Sequence, residues 1–319
     1  MILQSEPTEQ DIKEAHIRIR KKVHHTPVLT SSSLNALFNC RMYFKCENFQ
    51  KVGAFKFRGA CNTVFSLEER ELQKGVATHS SGNHAAAVAL SGKLKNIPSY
   101  IVMPRTAPEI KKKAVEGYGA KIFFCESTLK AREETLAEIV EDTGASFIHP
   151  YDNYSVIAGQ ATCSKEIFDE ISDIEYLIVP TGGGGLLSGS CLSAKYFSPE
   201  TKVIGVEPQC ADDAYRSIRD NTIYPSVKPQ TICDGLLTQL SERTFSIIKS
   251  NVHEIITVTE ESIISAMKMI WERMKLIIEP SGAITLAAIM ENIDKFERKR
   301  VALILTGGNV DLEKLPWNK

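Results

Sequence analysis

The feature that most restricts the fold of this 319-residue chain is a recurring pair: a short apolar run, then an amphipathic stretch of helical period. The runs read RMYFKCE, KGVATHS, PSYIVMP, AKIFFCE and ASFIHP in the first half, and IEYLIVP, TKVIGVEP and RVALILTGG in the second. No hairpin turn joins one run to the next, and helical patterns lie between them. Strands so separated pair in parallel through right-handed crossovers, which predicts open α/β sheets. A chain of this length exceeds what one core usually supports, so two lobes are expected. The first helix is expected to take Thr8 as N-cap with Asp11 three residues on, and to bury Ile12, Ala15, Ile19 and Val23 along one face.

Charge and composition exclude several classes of partner. The formal charge of -1, with no long basic run, gives no electrostatic hold on nucleic acid or anionic lipid. The opening MILQSEPTEQDIKEAH lacks the basic start and apolar core of a secretion signal, and no window has the apolar length of a membrane span. The eight cysteines are scattered, with no C-x-x-C pair, and several sit in apolar runs. That pattern suits buried, reduced thiols in a cytoplasmic chain better than disulfides or zinc. Small molecules and other protein chains are the partners left.

In parallel sheets ligands gather at the carboxyl ends of the strands. Three of those ends are rich in Gly, Ser, Thr and Asn: THSSGNHAAAVAL, VPTGGGGLLSGS and LTGGNVD. In the second, Gly182, Gly183, Gly184 and Gly185 follow a strand and precede a helix. Without Cβ atoms such a turn can aim several N–H groups at one point, where the helix N-terminus adds positive potential. A phosphate monoester is the natural guest. A dinucleotide is disfavoured despite Glu207 at the next strand end, because no G-x-G-x-x-G occurs in any register.

The stretch VGAFKFRGA sets Lys56 between Phe55 and Phe57 with Arg58 beside them. Taken alone it supports two readings. The lysine stem could lie along an apolar helix face with its ammonium in water. Alternatively, aromatic burial and a neighbouring cation could disfavour the ammonium and leave a nucleophilic amine.

A phosphate cradle, such an amine and a polar strand end together suit pyridoxal 5'-phosphate, whose aldehyde condenses with a lysine. The ordered set TPVLTSS, FKCENFQKVGAFKFRGA, SSGNH, VIAGQ, GGGGLLSG, GVEP, IEPSG and LTGGNVD resembles the fold type II pyridoxal-phosphate enzymes of the eukaryotic serine racemase and serine/threonine dehydratase family, nearly end to end. The resemblance implies a tryptophan synthase beta-like α/β fold with two open parallel-sheet domains. Residues 1–68 and 153–319 would form the large cofactor-binding domain, and 69–152 a smaller mobile domain that closes over substrate. It implies that Lys56 forms the Schiff base, Phe55 packs on the pyridine ring and Asn83 bonds the cofactor's phenolic oxygen. The four glycines would hold the phosphate, and Thr306 would face the pyridine nitrogen. A neutral hydroxyl there makes a shallower electron sink than a carboxylate would.

The implied activity is interconversion of L- and D-serine together with β-elimination of serine to pyruvate and ammonia. The alternative is an L-threo-3-hydroxyaspartate ammonia-lyase, or a serine/threonine dehydratase without significant racemisation. Inversion needs a proton donor on each face of the α-carbon. Lys56 would serve one and Ser81 the other, although Ser81 is also a reasonable N-cap for the helix that follows. Ser80, Ser81, Asn83 and His84 would bind the substrate carboxylate, and Arg132 would reach the active site when the small domain closes, where it would suit a second carboxylate such as that of 3-hydroxyaspartate. Ala86 departs from the family pattern, in which a glutamine is frequent. The resemblance further implies a homodimer and a divalent cation held by Glu207, Asp213 and the Ala211 carbonyl. Such an all-oxygen set suits Mg²⁺, or Ca²⁺ or Mn²⁺, rather than zinc.

Overall fold

A computed structural model describes residues 2–80, 82–107 and 109–317. Ten strands are present among them: β1 (Val28–Leu29), β2 (Arg41–Cys46), β3 (Val76–His79), β4 (Ser99–Pro104), β5 (Lys121–Cys125), β6 (Ser146–Phe147), β7 (Tyr176–Pro180), β8 (Lys202–Pro208), β9 (Glu254–Val258) and β10 (Arg300–Leu305). The chain divides into two compact units, Met1–His24 with Lys56–Gly159, and His25–Phe55 with Gln160–Lys319. This division differs from the 69–152 boundary expected of a mobile domain, because the first helix, Glu9–Ile19, and the helix Lys56–Ser66 fall in the first unit.

The first unit holds a four-stranded sheet in the order β5-β4-β3-β6, parallel throughout. Its opening helix follows the expected capping box: Thr8 Oγ1 accepts from Asp11 N, and Asp11 Oδ2 accepts from Thr8 N. Ile12, Ala15 and Ile19 are buried along that helix, and Val23 is buried just beyond its end. The sheet packs a small core of Ala77, Val102, Cys125, Leu136 and Ile139.

The second unit holds a six-stranded sheet, β1-β2-β10-β7-β8-β9, parallel except for the short β1. β10 lies centrally, with Val301 opposite Met42 on one side and Tyr176 on the other. Its run VALIL is apolar without alternation because both faces are covered. Val301, Leu303 and Leu305 point into one core cluster, while Ala302 and Ile304 point into another. The same division by period two separates Ile204 and Val206 from Val203 on β8. β9 has no comparable run, since only Ile255 and Val258 of its five residues are buried.

Seven of the eight cysteines are buried, as the sequence predicts, and Cys210 is exposed. Burial raises the Cys40 thiol to about 12, with Glu175 adding to the effect. Burial likewise raises Cys46 to about 12.

One charge pair is sealed inside the second unit. Lys45, on β2, is completely buried and donates through Nζ to Glu166 Oε2 and to the Thr26 carbonyl, each at 2.7 Å. Thr26 Oγ1 in turn donates to the buried Glu47 at 2.5 Å. Removing one partner of such a pair strands the other charge in a low-dielectric site, whereas replacing both removes the need for compensation. Glu166→Leu is therefore expected to cost about 3–5 kcal/mol. The double change Lys45→Met with Glu166→Leu should regain most of that loss in urea unfolding.

Candidate functional site

In the first unit the carboxyl end of β3 leads into the SSGNH loop, which opens the helix Asn83–Lys95. Ser80 N donates to Val102 O, and Ser80 Oγ accepts from Gly82 N, so the loop's entry is tied to the sheet. Asn83 is the first residue of the helix, where the backbone N–H groups lack intrahelical partners. Ser81, the expected second proton donor, lies outside the described residues.

Lys56 begins the helix Lys56–Ser66, and its Nζ donates to Pro150 O at 3.0 Å. The amine is therefore engaged by a backbone carbonyl, not simply extended to solvent along its stem. The next two residues, Phe57 and Arg58, are fully buried. This helix is held by close approach of the helix Tyr154–Glu170. A Cβ at Gly159 would stand 2.7 Å from Arg58 O and Gly59 Cα. The glycine of VIAGQ is thus required by contact between backbones, a role that the sequence quotes but does not explain.

His84 is buried, and its Nε2 lies 2.9 Å from Ile148 O, so Nε2 carries hydrogen and donates. Its Nδ1 is buried without a hydrogen-bond partner. Burial, reinforced by the nearby Lys56 charge, lowers its pKa to about 3. His84 is a neutral group with one lone pair to offer. Arg132 lies on the helix Leu129–Thr143, its Nε buried and unpartnered, near His79 at the foot of the SSGNH loop. Burial together with the Arg132 charge lowers the His79 pKa against the opposing pull of Glu133.

In the second unit, Gly182–Gly185 follow β7, and the helix Gly185–Phe197 starts on the last of them. All four glycines are buried. Gly184 has φ +84°, and a Cβ there would meet Leu240, Ile248 and Thr244 at 2.7–2.9 Å. A Cβ at Gly182 would sit 3.1 Å from Gly235 O and Leu236 Cα. The turn is hemmed in by these neighbours, and the helix N-terminus supplies the unpaired N–H groups that an anion requires.

Thr306, at the end of β10, is 3 % exposed, and its Oγ1 has no hydrogen-bond partner. A buried hydroxyl so placed implies a missing polar partner, and a ring nitrogen would satisfy it. Thr306 O accepts from Phe55 N at 3.0 Å, which ties the residue before Lys56 to the end of the central strand. Val52 lies slightly upstream with φ +59°, a conformation unfavourable for a β-branched residue. Asn309 Nδ2 donates to Val52 O at 2.8 Å, and Gly308 N to Gly53 O at 3.0 Å, holding that strained approach in place. The unpartnered Thr306 hydroxyl and the glycine turn fit a phosphorylated pyridine.

Glu279, quoted within the IEPSG motif without a role, is a buried acid that packs against the backbone beside Thr306. It is 4 % exposed, and a Cβ at Gly307 would fall 2.6 Å from its Oε1. The signal was an acid immediately before Pro280 and an almost wholly apolar helix.

Glu207 and Asp213 are both buried in the same unit. Glu207 accepts from Ala214 N at 3.1 Å and Tyr215 N at 2.7 Å, and Asp213 Oδ2 has no partner. Burial and mutual proximity raise the Glu207 pKa, and burial raises that of Asp213 to about 6. Two buried carboxylates with an orphaned oxygen form a donor set that a hard cation would satisfy.

His84 generates a measurable pH dependence. Its folded pKa is about 3, whereas an unfolded imidazole titrates near 6.5. Between these values the unfolded chain binds a proton that the native state refuses, so stability falls as pH falls. The difference in unfolding free energy between wild type and His84→Gln should narrow by about 1.4 kcal/mol per pH unit on acidification from about 6.5 towards 4, measured by urea titration.

Comparison with known proteins agrees with this geometry. The chain is 51% identical over 312 residues to the serine racemase of Dictyostelium discoideum, covering 97% of this chain and 96% of the relative. It is 48% identical over 312 residues to the beta-hydroxyaspartate dehydratase of Paracoccus denitrificans, covering 98% of this chain and 99% of the relative. The crystal structure of the Dictyostelium discoideum serine racemase superposes with a TM-score of 0.92 at 51% identity, covering 96% of this chain and 99% of that one. Residues 19–307 match the family model described as pyridoxal-phosphate dependent enzyme, so with its lysine-led helix, glycine turn and two parallel sheets the chain belongs to that family.

Proposed function

We propose that this chain interconverts L- and D-serine and also eliminates water from serine, giving pyruvate and ammonia. Bound pyridoxal phosphate supplies the electron-withdrawing ring that makes the α-proton of an amino acid removable. The observation that carries the reading is the neutral, unpartnered hydroxyl of Thr306, on the same edge of the second unit's sheet as the glycine turn, in a chain about half identical to a serine racemase.

Lys56 Nζ is the base that takes the α-proton from one face and can return it. The hydroxyl of Ser81 serves the opposite face, as inversion requires. With the cofactor bound, Phe55 would pack against its ring, Asn83 would donate to its phenolic oxygen, and Gly182, Gly183, Gly184 and Gly185 would hold its phosphate through backbone amides. Ser80, Ser81, Asn83 and, through its backbone N–H at the helix start, His84 receive the substrate carboxylate. Thr306 would face the ring nitrogen with a neutral hydroxyl, which would leave the ring a weaker electron sink than a carboxylate partner would. A small domain over residues 69–152 closes on substrate and excludes water.

A second reading, L-threo-3-hydroxyaspartate ammonia-lyase, is supported by the relative named beta-hydroxyaspartate dehydratase and by the unpartnered Nε of Arg132, which suits a second substrate carboxylate. Incubating the holoenzyme with L-serine, D-serine, L-threonine and L-threo-3-hydroxyaspartate, while following chirality and keto acid together, separates the readings. D-serine formation from L-serine is expected, and its absence alongside rapid keto-acid release from hydroxyaspartate would select the second. Ser81→Ala should lose racemisation by at least tenfold yet retain elimination of L-serine.

The cation site belongs to the same proposal. Glu207, Asp213 and the Ala211 carbonyl hold Mg²⁺, with Ca²⁺ and Mn²⁺ as alternatives, and the orphaned Asp213 oxygen supports this. Millimolar Mg²⁺ should raise the melting temperature of the wild type by several degrees and leave Asp213→Asn unchanged. A cytoplasmic homodimer completes the reading. Buried, reduced thiols support the compartment, and the exposed Phe49 and Ile277, on segments joined by Asn48 Nδ2 donating to Ile277 O, support a subunit contact.

A further inference from the structure

The carbonyl that receives Lys56 belongs to Pro150, in the turn between β6 and the helix Tyr154–Glu170. Proline has no N–H, so residue 150 cannot fix its own carbonyl by donating a backbone hydrogen bond. The fixing is done by the preceding side chain. His149 Nδ1 accepts from Asp152 N at 2.8 Å and from Tyr151 N at 3.3 Å. A nitrogen that accepts from two amides carries a lone pair, so the ring is neutral with its hydrogen on Nε2. The ring is wedged edge-on against Tyr151 at 4.6 Å and Phe147 at 5.5 Å, with His79 at 6.5 Å.

The same turn is anchored on its upstream side. Ile148 N donates to Ala77 O at 2.8 Å, and Ile148 O receives the His84 hydrogen at 2.9 Å. Downstream, Asn153 Oδ1 accepts from Val156 N at 3.0 Å and caps the next helix. These bonds direct the chain on either side of Pro150, and its carbonyl accepts from the Lys56 amine.

We propose that His149 is a positioning residue for Lys56. By tying the Tyr151 and Asp152 amides it aims the Pro150 carbonyl, which captures the Lys56 amine whenever that amine is not covalently engaged. A lysine head group that donates one hydrogen to a fixed carbonyl has its rotation restricted, so the lone pair that appears when it loses a proton is directed away from that carbonyl. The group that must move a proton at Cα is then presented in one orientation. The inference rests on Lys56 being the base of the proposed reaction.

Two substitutions separate positioning from mere packing. His149→Phe keeps the ring and removes the acceptor. His149→Asn loses the ring, but its carbonyl oxygen can accept the same backbone amides, as asparagine does in turns. In the full-length chain freed of pyridoxal phosphate, competitive acetylation at fixed pH reads Lys56 directly and requires no catalysis. His149→Phe should speed Lys56 labelling at least threefold, and in the holoenzyme should lower kcat about tenfold with KM changed less than threefold, since small misplacements of a reacting group are costly. His149→Asn should lie within about threefold of wild type in both measurements, because the acceptor is retained. If His149→Phe lacks a cooperative unfolding transition, His149→Ala replaces it with the same expectations. Wild-type labelling in the acceptor-free variant overturns the proposal, as does an asparagine variant no better than it. Failure of the catalytic reading is seen separately, as a Lys56→Ala holoprotein that still turns over serine.

Discussion

Parallel pairing of β10 between β2 and β7 is the constraint on which the second unit depends. Because the strands run the same way, whatever follows each of them emerges on one edge of the sheet. Thr306 follows β10, the glycine turn follows β7, and Glu207 ends β8. The register, with Leu305 opposite Cys46, sets how far each strand reaches before its turn begins. The bond from Phe55 N to Thr306 O then uses the end of the central strand as a fixed point for the segment leading to Lys56. The first unit repeats the principle on a smaller scale, with the SSGNH loop leaving β3 between two parallel neighbours.

A chain assembled this way must place polar groups where an apolar core would exclude them. It does so under different terms in each place. Lys45 and Glu166 are compensated by each other and by a carbonyl. His84 is kept neutral by burial, with one nitrogen bonded and the other idle. Thr306 and Asp213 each retain an oxygen without a partner. Groups of the first kind are paired within the protein, whereas the idle atoms keep hydrogen-bonding capacity that the protein leaves unused.

The sheet architecture was legible because uninterrupted apolar runs without hairpin turns permit few alternatives. β10 and β7 could be read from VALIL and YLIVP directly. β9 could not, since its half-polar pattern is that of an edge strand and resembles a surface loop. The glycine turn could be read as an anion cradle because consecutive glycines have few other uses at a strand end. Gly159 and Glu279 were present in quoted motifs, but their roles depend on which backbone or carboxylate lies against them, and only tertiary structure supplies that. The ambiguity over Lys56 was of the same kind: its flanking residues describe an environment, while its partner, the Pro150 carbonyl, lies 94 positions away. The unit boundaries follow packing of the helices Glu9–Ile19 and Lys56–Ser66, which local composition does not reveal.

The buried thiols bear on how the protein meets electrophiles. A sulfhydryl held near 12, as at Cys40 and Cys46, is ionised in about one molecule in 10⁵ at neutral pH, too few for appreciable alkylation. Cys210 alone is exposed, and it sits in the short turn Gln209–Ala211 that carries the Ala211 carbonyl. Covalent adducts formed by reactive metabolites or probes are thereby channelled to one sulfur, beside the Glu207–Asp213 carboxylates and away from the sheet interior.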